Sequence, residues 1–199
     1  MVAFIICLAI AYCIGSVSSS VLISKYLGGV DPRSAGSGNA GATNVLRLNG
    51  KNQALIVLGA DILKGFLAIL IAKLFGVSGF ELGLVGLAVV AGHVFPVFFQ
   101  FKGGKGVATM LGVCIGLSLW LGLFTVVTWI VVAAVFRYSS LAALVAAVLA
   151  PFYALFFSSP TYFIPLAFIT LLLAWKHMAN IQKLRSGTED KIDFSKFMK

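Results

Sequence analysis

Long apolar runs separated by short polar segments dominate the chain from its first residues to about position 178. A helix rises 1.5 Å per residue, so about 20 apolar residues cross the hydrocarbon core of a bilayer. The runs that reach this length are 2–25, 53–75, 79–101, 139–157 and 160–178. This pattern predicts an all-α integral membrane protein that forms a single domain over residues 1–199.

The first run differs from a cleavable signal peptide, although it lies at the start of the chain. It lacks a basic beginning, and it carries polar side chains where a signal peptide is apolar, namely Ser16, Ser18, Ser19 and Ser20. We therefore expect this run to remain in the protein as the first span.

The stretch 103–136 is too long for one span and has to be divided or left as a single long helix. One helix over it would measure about 50 Å, against a hydrocarbon core of about 30 Å. Two short spans that meet near Ser118 give seven spans in total, whereas one span gives six. The sequence alone leaves both possibilities open at this point, and the charges favour the first.

Basic residues decide between six and seven spans, because cytoplasmic loops carry an excess of Lys and Arg. With seven spans and the N-terminus outside, all of the fifteen Lys and Arg residues except Lys64 and Lys73 are cytoplasmic. With six spans, the basic tail, which includes Lys196 and Lys199, would be outside while the basic first loop stayed inside. We therefore predict seven transmembrane helices, with the N-terminus outside and the C-terminus cytoplasmic.

This topology places the polar segments on one side of the membrane. The cytoplasmic side receives the loop 28–52, the loop 102–106 and the tail 179–199, whereas the outer connections are short and nearly uncharged. The basic residues of the chain do not form one stripe with interleaved aromatic residues, as a nucleic-acid-binding surface would. The topology therefore explains the formal net charge of +9. We expect a membrane-lipid partner, no nucleic-acid partner and a functional site at the cytoplasmic face.

The cysteine and histidine content argues against metal chemistry. The chain has three Cys and two His, and the cysteines lie in apolar runs without metal-ligand spacing. We expect no metal and no cofactor.

The first cytoplasmic segment, DPRSAGSGNAGATNVLR at 31–47, is dense in Gly, Ser, Asn and Thr. Glycines permit positive φ, so that consecutive backbone N–H groups can converge on an anion, and an Arg at the end suits phosphate or carboxylate. A flexible linker has a similar composition. The candidate anion-binding residues are Ser37, Gly38, Asn39, Thr43, Asn44 and Arg47.

The second cytoplasmic segment is the glycine loop FKGGKG, which precedes the apolar run that begins VATMLG. Free N–H groups and the positive end of the dipole at a helix N-terminus attract phosphate. The spacing is not that of a Walker loop. A plain basic turn at the lipid headgroups is the alternative. The candidate phosphate-binding residues are Lys102, Gly103, Gly104, Lys105 and Gly106.

The third cytoplasmic segment is WKHMANIQKLRSGTED at 175–190. His177 and Asn180 are three residues apart and share a helix face, while Glu189 follows a turn. A lone His near a membrane interface is usually an amphipathic anchor, but three polar segments on one face favour a functional role.

Charged residues also occur within the predicted spans. Asp61 and Lys64 are three residues apart in the second span, where charges are costly unless they are paired or face water. They indicate either a structural ion pair or the wall of a site. His93 lies in the third span, ahead of the glycine loop.

Together the segments GSGNAGATNVLR, GHVFPVFFQFKGGKGVAT and HMANIQKLRSGTE, in this order, resemble the three signature motifs of the bacterial acyl-phosphate:glycerol-3-phosphate acyltransferases, the PlsY family. The resemblance extends over the whole chain and includes ADILKG in the second span. It implies transfer of a fatty acyl group from acyl phosphate to the sn-1 hydroxyl of glycerol 3-phosphate, at the cytoplasmic face of the bacterial inner membrane. The products would be lysophosphatidic acid and phosphate.

By position in these motifs, the resemblance implies catalytic roles for Ser37, Arg47, His177, Asn180 and Glu189. It implies glycerol 3-phosphate binding for the glycine loop, and Lys64 and His93 are further candidate binding residues. A transporter or channel for a phosphorylated anion is the alternative from another class, although we find no inverted repeat. An adaptor for other membrane enzymes is a third hypothesis, and it predicts polar segments that do not converge.

Overall fold

A computed structural model describes residues 1–192. Lys196 and Lys199, which are predicted to be cytoplasmic, lie outside the described residues. All regular elements of the described part are helical. The predicted first span, 2–25, is divided into α1 (Val2–Gly15) and α2 (Ser19–Tyr26), which meet at 41°. The break contains Ser16 and Ser18, and serine favours breaks because its hydroxyl competes for backbone hydrogen bonds.

A short helix and two long ones follow the first polar loop. They are α3 (Ala42–Asn49), α4 (Lys51–Leu74) and α5 (Gly79–Val94). The third predicted span, 79–101, thus ends as an α-helix at Val94 and continues in a 3₁₀ turn, Val97–Phe99. The helix ends two residues before Pro96, because a proline disfavours the helical conformation of the residue before it.

The stretch 103–136 is broken at Ser118, as predicted. α6 (Val107–Leu117) and α7 (Leu119–Phe136) flank this residue, whose backbone is extended at φ −157 and ψ 136. α6 has 11 residues and is therefore about 16 Å long, roughly half of the hydrocarbon core.

The last helices are α8 (Ser139–Phe157), α9 (Phe163–Lys176) and α10 (Met178–Arg185). A 3₁₀ turn, Pro160–Tyr162, precedes α9, and α9 meets α10 at 64°. Within residues 1–192, 4 helices are long and apolar enough to cross a membrane, or up to 6 if each bent pair is one span. The protein is therefore a multi-pass membrane protein, while seven spans and the side of each terminus remain predictions.

Glycines let the helices approach closely, and two contacts with neighbouring backbone illustrate this. A Cβ on Gly15 of α1 would lie 2.1 Å from the carbonyl oxygen of Val89 in α5, and one on Gly112 of α6 would lie 1.9 Å from that of Ile62 in α4. Small residues serve this purpose in membrane proteins, where helices associate by close packing. Residues 28–41, 102–106 and 177–192 come together at one end of the bundle, which we call the loop end.

Candidate active site

The first polar loop of the loop end is built around the side chain of Asn44, in the first turn of α3. This side chain is 1% exposed. Its amide nitrogen donates to the carbonyl oxygens of Pro32 at 2.8 Å and Ala35 at 3.1 Å, and its oxygen accepts from the Ser37 N–H at 3.0 Å. Since both ends of the amide are engaged, Asn44 shapes the loop, and its contact with a substrate stays a prediction.

The other candidate residues of this loop lie nearer to its surface. Ser37, Gly38 and Thr43 are exposed, and Asn39 is half-buried. The Ser37 hydroxyl has no hydrogen bond with any residue in the described range. Gly36 has φ +62, and a Cβ there would lie 2.3 Å from the Asn44 side-chain oxygen. The loop therefore needs a glycine next to the amide that holds it together.

The glycine loop packs against His93, which is 7% exposed in the last turn of α5. The Gly104 N–H donates to the His93 carbonyl oxygen at 3.2 Å. A Cβ on Gly104 would lie 2.3 Å from His93 Nε2 and 2.6 Å from the carbonyl oxygen of Ala40. On Gly103 it would lie 2.0 Å from the His93 carbonyl oxygen. Gly104 is thus the point where the two polar loops touch, and it leaves no room for a side chain.

The glycine loop leads directly into α6, as predicted. Gly106 has φ +86 and occupies the N-cap position before Val107. The first N–H groups of an α-helix have no intrahelical acceptor and carry partial positive charge. The structure therefore has a helix N-terminus immediately after Lys105.

Lys105 connects the second and third sequence motifs. Its ammonium donates to the side-chain oxygen of Asn180. The Asn180 amide nitrogen donates to Glu189 Oε1 at 2.7 Å, and the Ser140 hydroxyl donates to the same oxygen at 2.6 Å. Lys105, Asn180, Glu189 and Ser140 thus form one continuous hydrogen-bonded chain, with a cation at one end and a carboxylate near the other.

The environment of Lys105 favours its neutral form more than water does. Burial lowers the pKa of its ammonium below the ordinary lysine value, because desolvation disfavours charge. Glu189 raises this pKa, whereas the positive charges of Arg47, Lys176 and Lys183 lower it. An arriving anion would offset this cluster of positive charge.

His177 lies at the bend between α9 and α10 and is 3% exposed. Its Nδ1 is 2.7 Å from the carbonyl oxygen of Leu173. Since a carbonyl oxygen can only accept, Nδ1 carries the hydrogen. In the neutral ring Nε2 is then unprotonated, so that His177 presents a proton acceptor.

Arg47 lies in the last turn of α3 and forms an ion pair with Asp190 at 3.2 Å. The two side chains are 38% and 68% exposed, so the pair is accessible to a ligand. Lys102 is also exposed, and its ammonium has no ion pair within residues 1–192. The loop end therefore gathers cations from the glycine loop and from α3.

Lys64 is buried below the loop end and is already engaged. Its ammonium is 2.9 Å from Asp61 Oδ1 and donates to the carbonyl oxygen of Val17 at 3.1 Å. The structural ion pair is thus present, and Lys64 also contacts the break of the first span. Its contact with a substrate stays a prediction.

Sequence reasoning missed Ser140. It lies in the first turn of α8, at the start of an apolar run and 49 residues from Glu189. Nothing in that run separates it from a helix-packing serine, so no sequence signal could have found it. The three predicted cytoplasmic segments do converge at the loop end, which argues against the adaptor hypothesis.

Comparison with known proteins gives one consistent result. The family model for glycerol-3-phosphate acyltransferase matches residues 5–187. Glycerol-3-phosphate acyltransferase of Coxiella burnetii (strain RSA 493 / Nine Mile phase I) is 53% identical over 190 residues, which is 96% of this chain and 98% of the relative. That of Methylococcus capsulatus is 51% identical over 183 residues, or 92% of each chain.

Two solved structures are also similar. They are crystal structures of PlsY (YgiH), an integral membrane glycerol 3-phosphate acyltransferase. The glycerol 3-phosphate form has a TM-score of 0.91 at 39% identity, and the lysophosphatidic acid form has 0.89 at 38%. Each comparison covers 98% of both chains.

Proposed function

This chain belongs to the glycerol-3-phosphate acyltransferase family, and we propose that it transfers a fatty acyl group from acyl phosphate to the sn-1 hydroxyl of glycerol 3-phosphate. The products are lysophosphatidic acid and phosphate. The observation that carries the proposal is the contact of Lys105 with Asn180, which joins the glycine loop to the third motif beside a helix N-terminus. This arrangement of donors and cations suits phosphorylated ligands.

The cations of the loop end offset the charge of the substrates. Two phosphate groups bring together about three to four negative charges at neutral pH, since the second pKa of a phosphate monoester is near 6. Lys105 and Arg47 lie close enough for the charge of Arg47 to lower the pKa of Lys105. We propose that glycerol 3-phosphate binds here, and that its phosphate replaces Asp190 as the ion-pair partner of Arg47. Further contacts come from Ser37, Gly38, Asn39, Thr43 and Lys102.

The reaction needs no acyl-enzyme. Acyl phosphate is a mixed anhydride and already activated, so the glycerol 3-phosphate hydroxyl can attack its carbonyl carbon directly while the bond to phosphate breaks. The hydroxyl proton goes either to His177 Nε2 or to the departing phosphate. Glu189 and Asn180 hold Lys105 in place, and positioning with charge stabilisation supplies most of the catalysis.

The membrane setting fits a soluble substrate and a lipid product. We propose a seven-span protein of the bacterial inner membrane, with its N-terminus outside and the loop end in the cytoplasm. Glycerol 3-phosphate then arrives from the cytoplasm, the acyl chain lies between helices, and lysophosphatidic acid leaves sideways into the lipid.

A donor comparison tests the proposal. Purified protein receives glycerol 3-phosphate with acyl phosphate, acyl-CoA or acyl carrier protein, and lysophosphatidic acid is measured. We expect product from acyl phosphate alone. Product formed only from acyl-CoA or acyl carrier protein would contradict acyl phosphate as the donor. No product from any donor, with flux of phosphorylated substrate into liposomes, would support the transporter alternative.

Replacement of His177 by Phe separates the two proton acceptors. If His177 accepts the proton, kcat falls at least about a hundredfold, within the range of general-base effects. Substantial remaining kcat, with the same thermal stability, would assign the proton to the departing phosphate. A dependence of the remaining rate on the basicity of the leaving group would support that result.

A further inference from the structure

Three ionisable side chains are buried together beneath the glycine loop. Asp61 is 2% exposed, and Lys64 and His93 are each 7% exposed. Asp61 Oδ1 lies 2.9 Å from the Lys64 ammonium and 3.5 Å from His93 Nδ1. Charges within a membrane bundle are costly and commonly mark a functional region. The proposed reaction gives no part to Asp61.

The cluster contacts the break of the first span on one side. The Lys64 ammonium donates to the carbonyl oxygen of Val17, between α1 and α2. The same break is tied to the segment that follows α5, because Ser16 Oγ accepts from the Val97 N–H at 3.3 Å. Nearby, the Tyr12 hydroxyl of α1 donates to the Phe95 carbonyl oxygen at 2.7 Å.

On its other side the cluster contacts the glycine loop through His93. The ring has Asp61 at Nδ1, and its Nε2 edge faces Gly104 so closely that a methyl group there would overlap it at 2.3 Å. The backbone of His93 accepts from the Gly104 N–H. The orientation of this ring therefore determines where the backbone of Gly104, and with it Lys105, can lie.

We propose that Asp61 is a positioning residue for the glycine loop, and that it acts by holding the His93 ring and the Lys64 ammonium. The proposal rests on the proposed function, in which the loop binds glycerol 3-phosphate. Asp61 contacts Lys64, which contacts the break of the first span, and this break contacts residues 95–97. The chain continues from there into the glycine loop, which packs against His93, and His93 contacts Asp61 again. A structural ion pair alone would need only Asp61 and Lys64.

Substitution of Asp61 by Asn separates these roles. The amide keeps the size of the side chain but loses the charge that holds both partners. Positioning predicts that the KM for glycerol 3-phosphate rises at least fivefold, while the KM for acyl phosphate stays within twofold. An unchanged KM for glycerol 3-phosphate in folded protein would reduce Asp61 to a structural ion-pair partner and overturn the proposal.

Two further variants keep the test decisive. Asp61→Glu retains the charge with one more methylene and should raise the same KM less than Asn does. If Asn prevents folding, a raised KM in Asp61→Glu supports the proposal and an unchanged one overturns it. Lys73→Met is the matched control, because Lys73 donates to the Gly116 carbonyl oxygen at 2.7 Å at the opposite end of α4. This control should leave both KM values unchanged.

Measurements on the wild-type protein distinguish failure of the proposed function from failure of the positioning role. If wild-type protein makes no lysophosphatidic acid from any donor, the proposed function fails. If it does, and the Asp61 variants keep the wild-type KM, only the positioning role fails.

Discussion

The two loops that meet at Gly104 are built in opposite ways. The first loop is organised by one buried amide, that of Asn44, which bonds to the backbone at Pro32, Ala35 and Ser37. The glycine loop is organised by the absence of side chains, because its backbone lies against His93 and Ala40. The first loop thus depends on the chemistry of one side chain, whereas the second depends on close backbone packing that a side chain would prevent.

The largest effect is expected from a substitution that disturbs the packing of the glycine loop. Gly104→Ala places a methyl group into His93 Nε2 and the Ala40 carbonyl oxygen. Because backbone on one side and a packed ring on the other both resist movement, the loop must shift. We expect kcat/KM for glycerol 3-phosphate to fall at least about a hundredfold, on the scale of misplaced catalytic groups. The KM for glycerol 3-phosphate should rise more than that for acyl phosphate.

Gly59→Ala is the matched control for this change, since a Cβ at Gly59 of α4 would meet nothing within 4 Å. Near-normal kinetics in Gly104→Ala would contradict close packing of the loop. Equal losses in both glycine variants would indicate a general intolerance of the bundle.

The next largest effect is expected from substitutions of Asn44, which break the hydrogen bonds of the first loop. Asn44→Asp keeps the oxygen that accepts from Ser37 but turns a second oxygen toward the carbonyl oxygens of Pro32 and Ala35. Buried acceptors without donors are costly. We therefore expect Asn44→Asp and Asn44→Ala to lose activity alike, by about 10- to 100-fold.

Steady-state rates, compared with those of Asn52→Ala, check this prediction, because Asn52 is exposed at the start of α4. Full activity in Asn44→Asp would show that the donors of this amide do not hold the loop.

A smaller effect is expected where neither loop is touched directly. Ser140→Ala removes one of the two donors to Glu189 Oε1 and leaves that from Asn180 in place. Loss of one hydrogen bond to a charged group corresponds to about 1.5–3 kcal/mol. In full, this free energy would correspond to about a 12- to 160-fold change in rate. Because Ser140 touches only Glu189, which keeps its bond from Asn180, only part of it reaches the transition state, and we expect about a 3- to 10-fold fall in kcat/KM.

The neighbouring Ser139 supplies the control, because its hydroxyl has no hydrogen bond within the described part of the chain. Equal rates for Ser140→Ala and Ser139→Ala would show that the bond to Glu189 does not contribute to activity.

The smallest effect is a shift of a pH profile. Burial lowers the pKa of Lys105, so its positive charge is lost at a lower pH than that of an ordinary lysine. As pH rises through this lowered pKa, affinity for the anionic substrate falls. We expect an alkaline limb in kcat/KM for glycerol 3-phosphate that begins below the ordinary lysine value of about 10.4.

Lys105→Arg should move this limb to higher pH, because arginine stays charged. Lys183→Arg, on the exposed side of α10, should leave it in place. An unchanged limb in Lys105→Arg would assign it to another group.

Sequence reasoning reached the helical membrane class, the break at Ser118 and the helix N-terminus after the glycine loop, because apolar length and glycine spacing are local properties. It could not reach contacts between distant residues. Lys105 and Asn180 are 75 residues apart, and only the folded helix bundle brings such residues together. The type of residue does not decide its role either, since an Asn in a Gly-rich loop suits a ligand as well as the loop's own carbonyls. The sequence could not show that Asn44 holds the loop together.

The most direct test of the central claim is phosphate release by the purified protein given acyl phosphate, with and without glycerol 3-phosphate. Direct attack predicts phosphate release only when both substrates are present, with one lysophosphatidic acid formed for each phosphate. A burst of one phosphate per protein without glycerol 3-phosphate would indicate an acyl-enzyme and contradict direct attack. No release with both substrates present would contradict the proposed reaction itself.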